Sequence, residues 1–507
     1  MAQTIQWARL FEIAERPALP LQARLRGAVV QAIGEGRLAA GAALPSSREL
    51  AAQLGISRNT VTAAYLQLVD EGFLEARPRS GVFVAPQSLL PRAEPVEPWP
   101  RADPARARAP QWEARTRRSL LGRPTLAKPE RWRESPYPFV YGSHDAELFP
   151  VEEFRECCVK SLARSQLPSW TPDFETGDVP ELIEQIRTRL LPQRGVFALP
   201  DEILVTVGTQ HAYYLLAEAL FDETTRVGLE EPGHPHARTS FALRRPVFLE
   251  LPVDAEGVVV DTMPPLDYLF VTPSHQSPTT ATLSLERRQW LLRRAELADF
   301  VVIEDDYEAE NLYAGAPMPA LKSLDRSGRV VYVGSVSKSL SPALRLGYVV
   351  ASRELIAELR ALRHAMVRHP STFLQHAYAL FLSLGHHASH ARRVNRAMRE
   401  RLDAAAAALR AELPAFEFAM PQGGASLWVR APAWVDAGEL ATIACAHGVL
   451  IEVGGAFFAR PPYPCPYFRL RLSSIGVERI GAGVRALAAA YDELAAARGE
   501  RPRSRAH

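Results

Sequence analysis

The sequence predicts two folding units of different class: a small basic helical module with a two-stranded wing, then a large α/β body. Three observations lead there. The 507 residues exceed what one ordinary domain holds. Charge is unevenly spread: residues 1–136 carry 20 Lys and Arg against 13 Asp and Glu, a net of +7, whereas 137–507 carry 39 against 44, a net of −5. From about Pro138 the hydrophobic pattern becomes short apolar runs alternating with helical stretches. A basic front on an acidic body suggests that the front meets a polyanion.

Composition narrows the class. No run of about 18 apolar residues is present, so no membrane span is expected. Met1 to Arg16 is mixed and charged, without a secretory apolar core. Cys157, Cys158, Cys445 and Cys465 show neither a CxxC spacing nor a disulfide framework. A reducing, cytoplasmic setting fits that usage, and no metal site is expected.

Leu25, Ala28, Val29, Ala32 and Ile33 fall at i, i+3, i+4, i+7 and i+8, one face of a helix that Gly34 and Gly36 end. Ser46 and Glu49 have capping-box spacing for a second helix, which stops at Gly55. Ser57 caps a third, with the apolar stripe Val61, Ala64, Tyr65 and Leu68 and a polar first turn, Arg58-Asn59-Thr60. That is a helix, tight turn, helix arrangement, whose second helix can enter a major groove. Two short strands around Arg77-Pro78-Arg79-Ser80-Gly81 would make a basic wing. Residues 88–136 hold nine prolines and eleven Lys and Arg against six acids, the composition of an extended or mobile linker.

In the body, apolar runs at Ile203–Val207, Tyr268–Val271, Phe300–Ile303, Val330–Val333 and Gly347–Val350 read as buried parallel-type strands. Helical stretches such as Gln210–Phe221 and Leu285–Ala298 lie between them. This is a sheet covered on both faces, whose ligands bind beyond the C-terminal strand ends. The candidate chemical residues follow those ends. Lys338 comes just after Val330–Val333, flanked by Ser335 and Ser337, with Arg345 seven residues on. Hydroxyls and an arginine make a phosphate cradle, and a lysine beside one can form a Schiff base with pyridoxal phosphate. Asp305 and Tyr307 end another strand, where a carboxylate can pair with a pyridinium nitrogen and a phenol with a ring oxygen. Gly208, Thr209 and Gln210 open a helix after a strand, a ready anion site.

Two resemblances follow from these motifs. "GRLAAGAALPSSRELAAQLGISRNTVTAAYLQLVDEGFLEARPRSGVFV" resembles the winged helix-turn-helix domain of the GntR superfamily. It implies that Ser47, Arg48, Arg58, Asn59 and Thr60 face DNA, with Gly81 at the wing. The segments "VTVGTQHAYYLL", "EEPGHPHAR", "VTPSHQSPTT", "FVVIEDDYEAE" and "GSVSKSLSPALRLGY", in that order, resemble fold-type I aminotransferases. Joined, the chain is similar to the MocR/GabR regulators over roughly residues 18–495. That resemblance implies a pyridoxal-phosphate-dependent aminotransferase fold, with a large mixed-sheet α/β domain and a smaller C-terminal α+β subdomain. It implies an internal aldimine at Lys338, Asp305 on the pyridine nitrogen and Tyr307 on the ring oxygen. Gly208, Thr209, Gln210, Ser335, Ser337 and Arg345 would hold the phosphate, and Ser277 and His234 would complete the cofactor site. "YFRLRLSS" matches the strand bearing the substrate-carboxylate arginine, placed at Arg469, with Arg471 of the same strand parity left open.

The departures concern the effector. His234 stands where the family pattern has a tyrosine after Pro-Gly, and Ser277-Pro278-Thr279-Thr280 replaces its usual glycine-bearing loop. The family member that senses γ-aminobutyrate has an arginine where this chain has His236, so the same effector is not expected. The expected domains are a winged helix at 18–87, a linker at 88–136, the effector domain at 137–495 and a basic tail at 496–507. The expected function is a cytoplasmic transcription regulator, a homodimer on double-stranded operator DNA, sensing an amine or amino acid by aldimine exchange. The alternative is an active aminotransferase with an accessory DNA-binding domain.

Overall fold

The structure is a computed structural model that describes residues 19–86, 112–116, 128–140, 145–173, 177–308, 318–335 and 340–500, with Trp7, Phe11, Leu126, Glu310 and Tyr313. The chain divides into two compact units, Met1–Thr116 and Arg117–His507. Among the described residues no helix is long and apolar enough to cross a membrane.

The first unit is built from α1 (Leu21–Gly34), α2 (Ser47–Leu54), α3 (Arg58–Asp70), β1 (Leu74–Arg77) and β2 (Gly81–Val84). Its caps follow local chemistry. Ser46 Oγ accepts from the Glu49 N–H at 3.2 Å, Gly55 ends α2 at φ 66°, and Ser57 Oγ accepts from the Thr60 N–H at 3.1 Å. The stripe Val61, Ala64, Tyr65 and Leu68 is buried in one core with Leu25, Val29, Ile33 and Leu50. Arg58 and Asn59, on the other face of α3, are exposed. β1 and β2 pair antiparallel, Arg77 opposite Gly81, so Pro78-Arg79-Ser80 forms the tip of the wing.

The second unit holds two sheets. β3 (Tyr137–Phe139) belongs to the smaller one. The larger one contains β4 (Ile203–Thr206), β5 (Arg226–Glu231), β6 (Val247–Asp254), β7 (Gly257–Val258), β8 (Tyr268–Val271), β9 (Val301–Asp306), β10 (Val330–Ser335) and β11 (Gly347–Val350). Their order is β4-β11-β10-β9-β8-β5-β6-β7. β10, β9, β8, β5 and β6 are parallel. β11 departs from the parallel reading of its sequence: it runs antiparallel to both β10 and β4. A strand buried on both faces is apolar throughout whichever way it runs, so composition is silent on direction.

Helices α4 (Gly208–Leu220), α5 (Leu285–Ala298) and α6 (Arg353–Val367) cover this sheet. Ala212 and Leu216 of α4 and Ile356 and Leu359 of α6 pack with Leu204, Ile303, Val333 and Val349. Leu291 and Ala295 of α5 pack with Leu269, Val302 and Val330 on the opposite face. Val302 and Ile303 are neighbours that point to opposite sides, the period-2 alternation of a strand. The smaller sheet has the order β12-β13-β15-β14-β3, with β12 (Glu417–Phe418), β13 (Ser426–Arg430), β14 (Val449–Val453) and β15 (Tyr467–Arg471). α7 (His386–Glu412), α8 (Ala437–Ala446) and α9 (Val477–Arg498) share its core.

Candidate functional site

Three consecutive acids end β9, and strand parity separates them. Glu304 and Asp306 face one way. Glu304 accepts from the backbone N–H groups of Leu321 at 2.7 Å and Lys322 at 2.8 Å. Asp306 Oδ2 is held by Arg194 Nε at 2.7 Å and by the Tyr332 hydroxyl at 2.9 Å. Burial and the Asp306 charge push Glu304 up. Although burial opposes it, the Arg194 guanidinium keeps Asp306 below its ordinary range. Asp305 alone faces α4, where the Tyr213 hydroxyl donates to its Oδ2 at 2.5 Å. Asp305 and Tyr213 are each 1% exposed. Burial, then the Asp305 charge, pushes the Tyr213 phenol far above its usual value, so it stays a donor.

The second feature is the turn from β4 into α4. Gly208 has φ +72°, and a Cβ there would lie 3.0 Å from Arg345 Nη2 and 3.1 Å from its Cζ. Only a glycine allows the guanidinium to lie over this turn. Gly347 sits against the same turn, 3.1 Å from the Gly208 Cα to its own ideal Cβ. Gly347 also pairs with Ser335, the last residue of β10. Val207, at the N-cap of α4, makes no side-chain cap. Among the described residues, no side-chain acceptor of the kind most helix starts carry is found on the first-turn N–H groups of Gly208, Thr209 and Gln210.

The rim comes from the ends of β5 and β8. His234 Nδ1 accepts from the Ala237 N–H at 3.3 Å, and its ring centroid lies 5.9 Å from that of Tyr213 and 6.2 Å from that of Tyr307. The His236 ring is 5.7 Å from that of His234. Glu230, buried at the end of β5, accepts from Thr272 N–H at 3.1 Å, Thr272 Oγ1 at 2.7 Å and Gln276 Nε2 at 3.3 Å. Gln276 Nε2 also donates to the carbonyls of Pro232 and Ser277. One buried carboxylate thus ties together the loops that carry His234 and Ser277, and burial pushes it up to about 7. The Tyr307 hydroxyl donates to the His275 carbonyl at 3.0 Å.

Thr209, Gln210, His234, His236, Ser277, Tyr307, Arg345, Arg469 and Arg471 line one cleft, together with Tyr213 and Phe457. Residues predicted from segments far apart in the chain are therefore brought together. Asp305 and Gly208 lie behind its wall, through Tyr213 and Arg345 respectively. Lys338 and Ser337 lie outside the described residues. Both candidate arginines of β15 reach the cleft, and each has an acid: Arg469 Nε donates to Glu452 at 2.6 Å, and Arg471 pairs with Glu308 and donates to Ser426 Oγ at 3.1 Å. Sequence reasoning missed Tyr213 and Glu230. Tyr213 was detectable only as a polar tip on an otherwise apolar helix face. In the other unit, Arg48, Arg58, Asn59 and Gly81 are exposed and Ser47 and Thr60 half-buried.

The arrangement can hold an anion at the glycine turn and a protonated ring nitrogen at Asp305, with two histidines and two arginines around the space between. Residues 21–84 match the bacterial regulatory proteins of the gntR family, and residues 172–473 match aminotransferase class I and II. The HTH-type transcriptional regulator TauR of Rhodobacter capsulatus is 41% identical over 471 residues, 93% of this chain and 96% of that protein. The probable rhizopine catabolism regulatory protein MocR of Rhizobium meliloti is 34% identical over 385 residues, 76% of each chain. Among solved structures, LysN, the α-aminoadipate aminotransferase of Thermus thermophilus complexed with N-(5′-phosphopyridoxyl)-L-leucine, is 31% identical, with a TM-score of 0.66 over 71% of this chain and 92% of that one.

Proposed function

The chain belongs to the MocR-type regulators, in which a GntR helix-turn-helix domain precedes an aminotransferase-like domain of class I and II, and from that membership we propose that its body senses a small amine or amino acid and passes the signal to DNA. The cofactor is pyridoxal phosphate, which supplies an electrophilic carbon able to take up primary amines. The observation that carries the reading is the convergence at one cleft of a helix start under Arg345, whose N-cap residue makes no side-chain cap, and a buried Asp305 that accepts from the cleft residue Tyr213.

The residues present fit that cofactor. Arg345, Ser335, Ser337 and the N–H groups of Gly208, Thr209 and Gln210 would hold its phosphate. Asp305 would keep a proton on the ring nitrogen, its charge supported by the Tyr213 hydroxyl. Ser277, His234 and Tyr307 would surround the ring, and Lys338 would supply the resident amine. His236 and one of Arg469 and Arg471 would meet the effector. The effector's amine would take the place of the Lys338 amine. That exchange would bias the arrangement of two heads in a homodimer. Ser47, Arg48, Arg58, Asn59 and Thr60 would face the operator, with Gly81 at the wing.

The test combines spectra and DNA retention. Purified protein should carry a visible absorbance band that is absent from Lys338→Ala, and candidate amines should shift both the band and the mobility of promoter DNA. A protein that neither takes up pyridoxal phosphate nor retards its promoter would refute the proposal. Rapid formation of keto acid from an amino donor, with no specific DNA binding, would favour the aminotransferase reading.

A further inference from the structure

His211 lies in the first turn of α4 and does not line the cleft. Its Nδ1 accepts the Val207 N–H at 3.1 Å. It reaches back to the N-cap N–H as the Glu or Gln of a capping box does, but from one position further into the helix. The Val207 carbonyl is held from the other side, by Arg345 Nη2 at 3.1 Å. The next carbonyl, that of Gly208, accepts from Thr206 Oγ1 at 3.0 Å. Three side chains thus fix the backbone polar groups of the turn, and none of them occupies the N–H groups of Gly208, Thr209 and Gln210.

The ring is committed to this task. With Nδ1 as acceptor, the proton of the neutral imidazole is on Nε2, and Nε2 is buried with no hydrogen-bond partner among the described residues. Burial, then the charges of Arg363 and Arg345, lowers its pKa to about 4, so the neutral form that can accept is the one present at neutral pH.

We propose that His211 is a positioning residue that fixes the Val207–Gly208 turn, and with it Arg345, in the geometry that selects a cofactor bearing a phosphate. It acts through the turn and touches no cofactor atom. This rests on the reading of that turn as the phosphate site. An anion bound by backbone N–H groups gains from donors that are already oriented, because no ordering is left to do on binding.

The experiment is a comparison of affinities for pyridoxal phosphate and for pyridoxal, by absorbance titration of the full-length apo protein. His211→Leu removes the acceptor. His211→Asn sets an oxygen near the place of Nδ1, and His211→Gln sets one near the place of Nε2. Loss of one neutral hydrogen bond predicts that His211→Leu and His211→Gln weaken pyridoxal phosphate roughly 3- to 10-fold. Pyridoxal affinity should stay within about twofold by the same reasoning, and His211→Asn should recover most of the phosphate preference. Equal weakening of both ligands, no weakening of either, or a His211→Asn that behaves like His211→Leu overturns the role of His211. Should His211→Leu fail to fold, the Asn and Gln pair still decides: equal phosphate preference in the two overturns it. A wild-type protein that binds both ligands alike overturns the phosphate-turn assignment itself, and this inference with it.

Discussion

Gly208→Ala separates what the glycine does for the fold from what it does for the cofactor. Gly208 and Gly328 share a left-handed φ, +72° and +73°, in the same unit. At Gly328 nothing lies within 4 Å of an ideal Cβ. Gly328→Ala therefore carries the left-handed strain alone, roughly 1–2 kcal/mol. At Gly208 the methyl meets the Arg345 guanidinium at 3.0 Å, but that is the end of a long, exposed side chain that can swing aside. Its stability cost should be similar. What it loses is the placement of the guanidinium over the turn, and a charged contact of that kind is worth roughly 1.5–3 kcal/mol. In affinity that is roughly 10- to 150-fold. Urea unfolding of both variants and an absorbance titration with pyridoxal phosphate give the two quantities. Gly208→Ala with wild-type affinity, or Gly328→Ala with an equal loss, would show that the Gly208–Arg345 contact does not hold the phosphate.

Three further outcomes are expected. Tyr213→Phe removes the donor from a fully buried carboxylate and should lower the unfolding free energy of the body by roughly 1.5–3 kcal/mol; unchanged stability would mean that Asp305 does not rely on it. Glu230 has a folded pKa of about 7, above its ordinary 4.5, because of burial. Its protonated form is favoured by folding, so this contribution is full below about pH 4.5 and is lost as pH rises through 7, about 3 kcal/mol in all. Glu230→Gln should flatten the stability profile between about pH 5 and 8, and a difference from wild type that is constant with pH would contradict this. Arg58→Ala, at the exposed start of α3, should weaken promoter binding by about tenfold or more and lower the salt dependence by about one counterion; retention at wild-type strength would remove Arg58 from the DNA-facing set.

The sequence by itself determined what local chemistry controls. Ser46, Gly55 and Ser57 punctuate α2 and α3 because a hydroxyl or a missing Cβ acts within a few residues of its own backbone. The stripe Val61, Ala64, Tyr65 and Leu68 named the buried face of α3 through the helical period. The strand ends carrying Asp305 and Gly208 were visible for the same reason, and fixed motif order identified the class of body. Tertiary structure decided the rest. The direction of β11 depends on its partners, since a doubly buried strand is apolar either way. Which of Glu304, Asp305 and Asp306 faces the site depends on which side of β9 α4 covers. Arg469 and Arg471 look alike on one strand, and only the fold assigns Glu452 to the first and Glu308 to the second. Tyr213 and Glu230 act on groups that only folding brings to them, and even for His211, whose partner is one helical turn away, residue type alone does not say which atom a polar tip will meet.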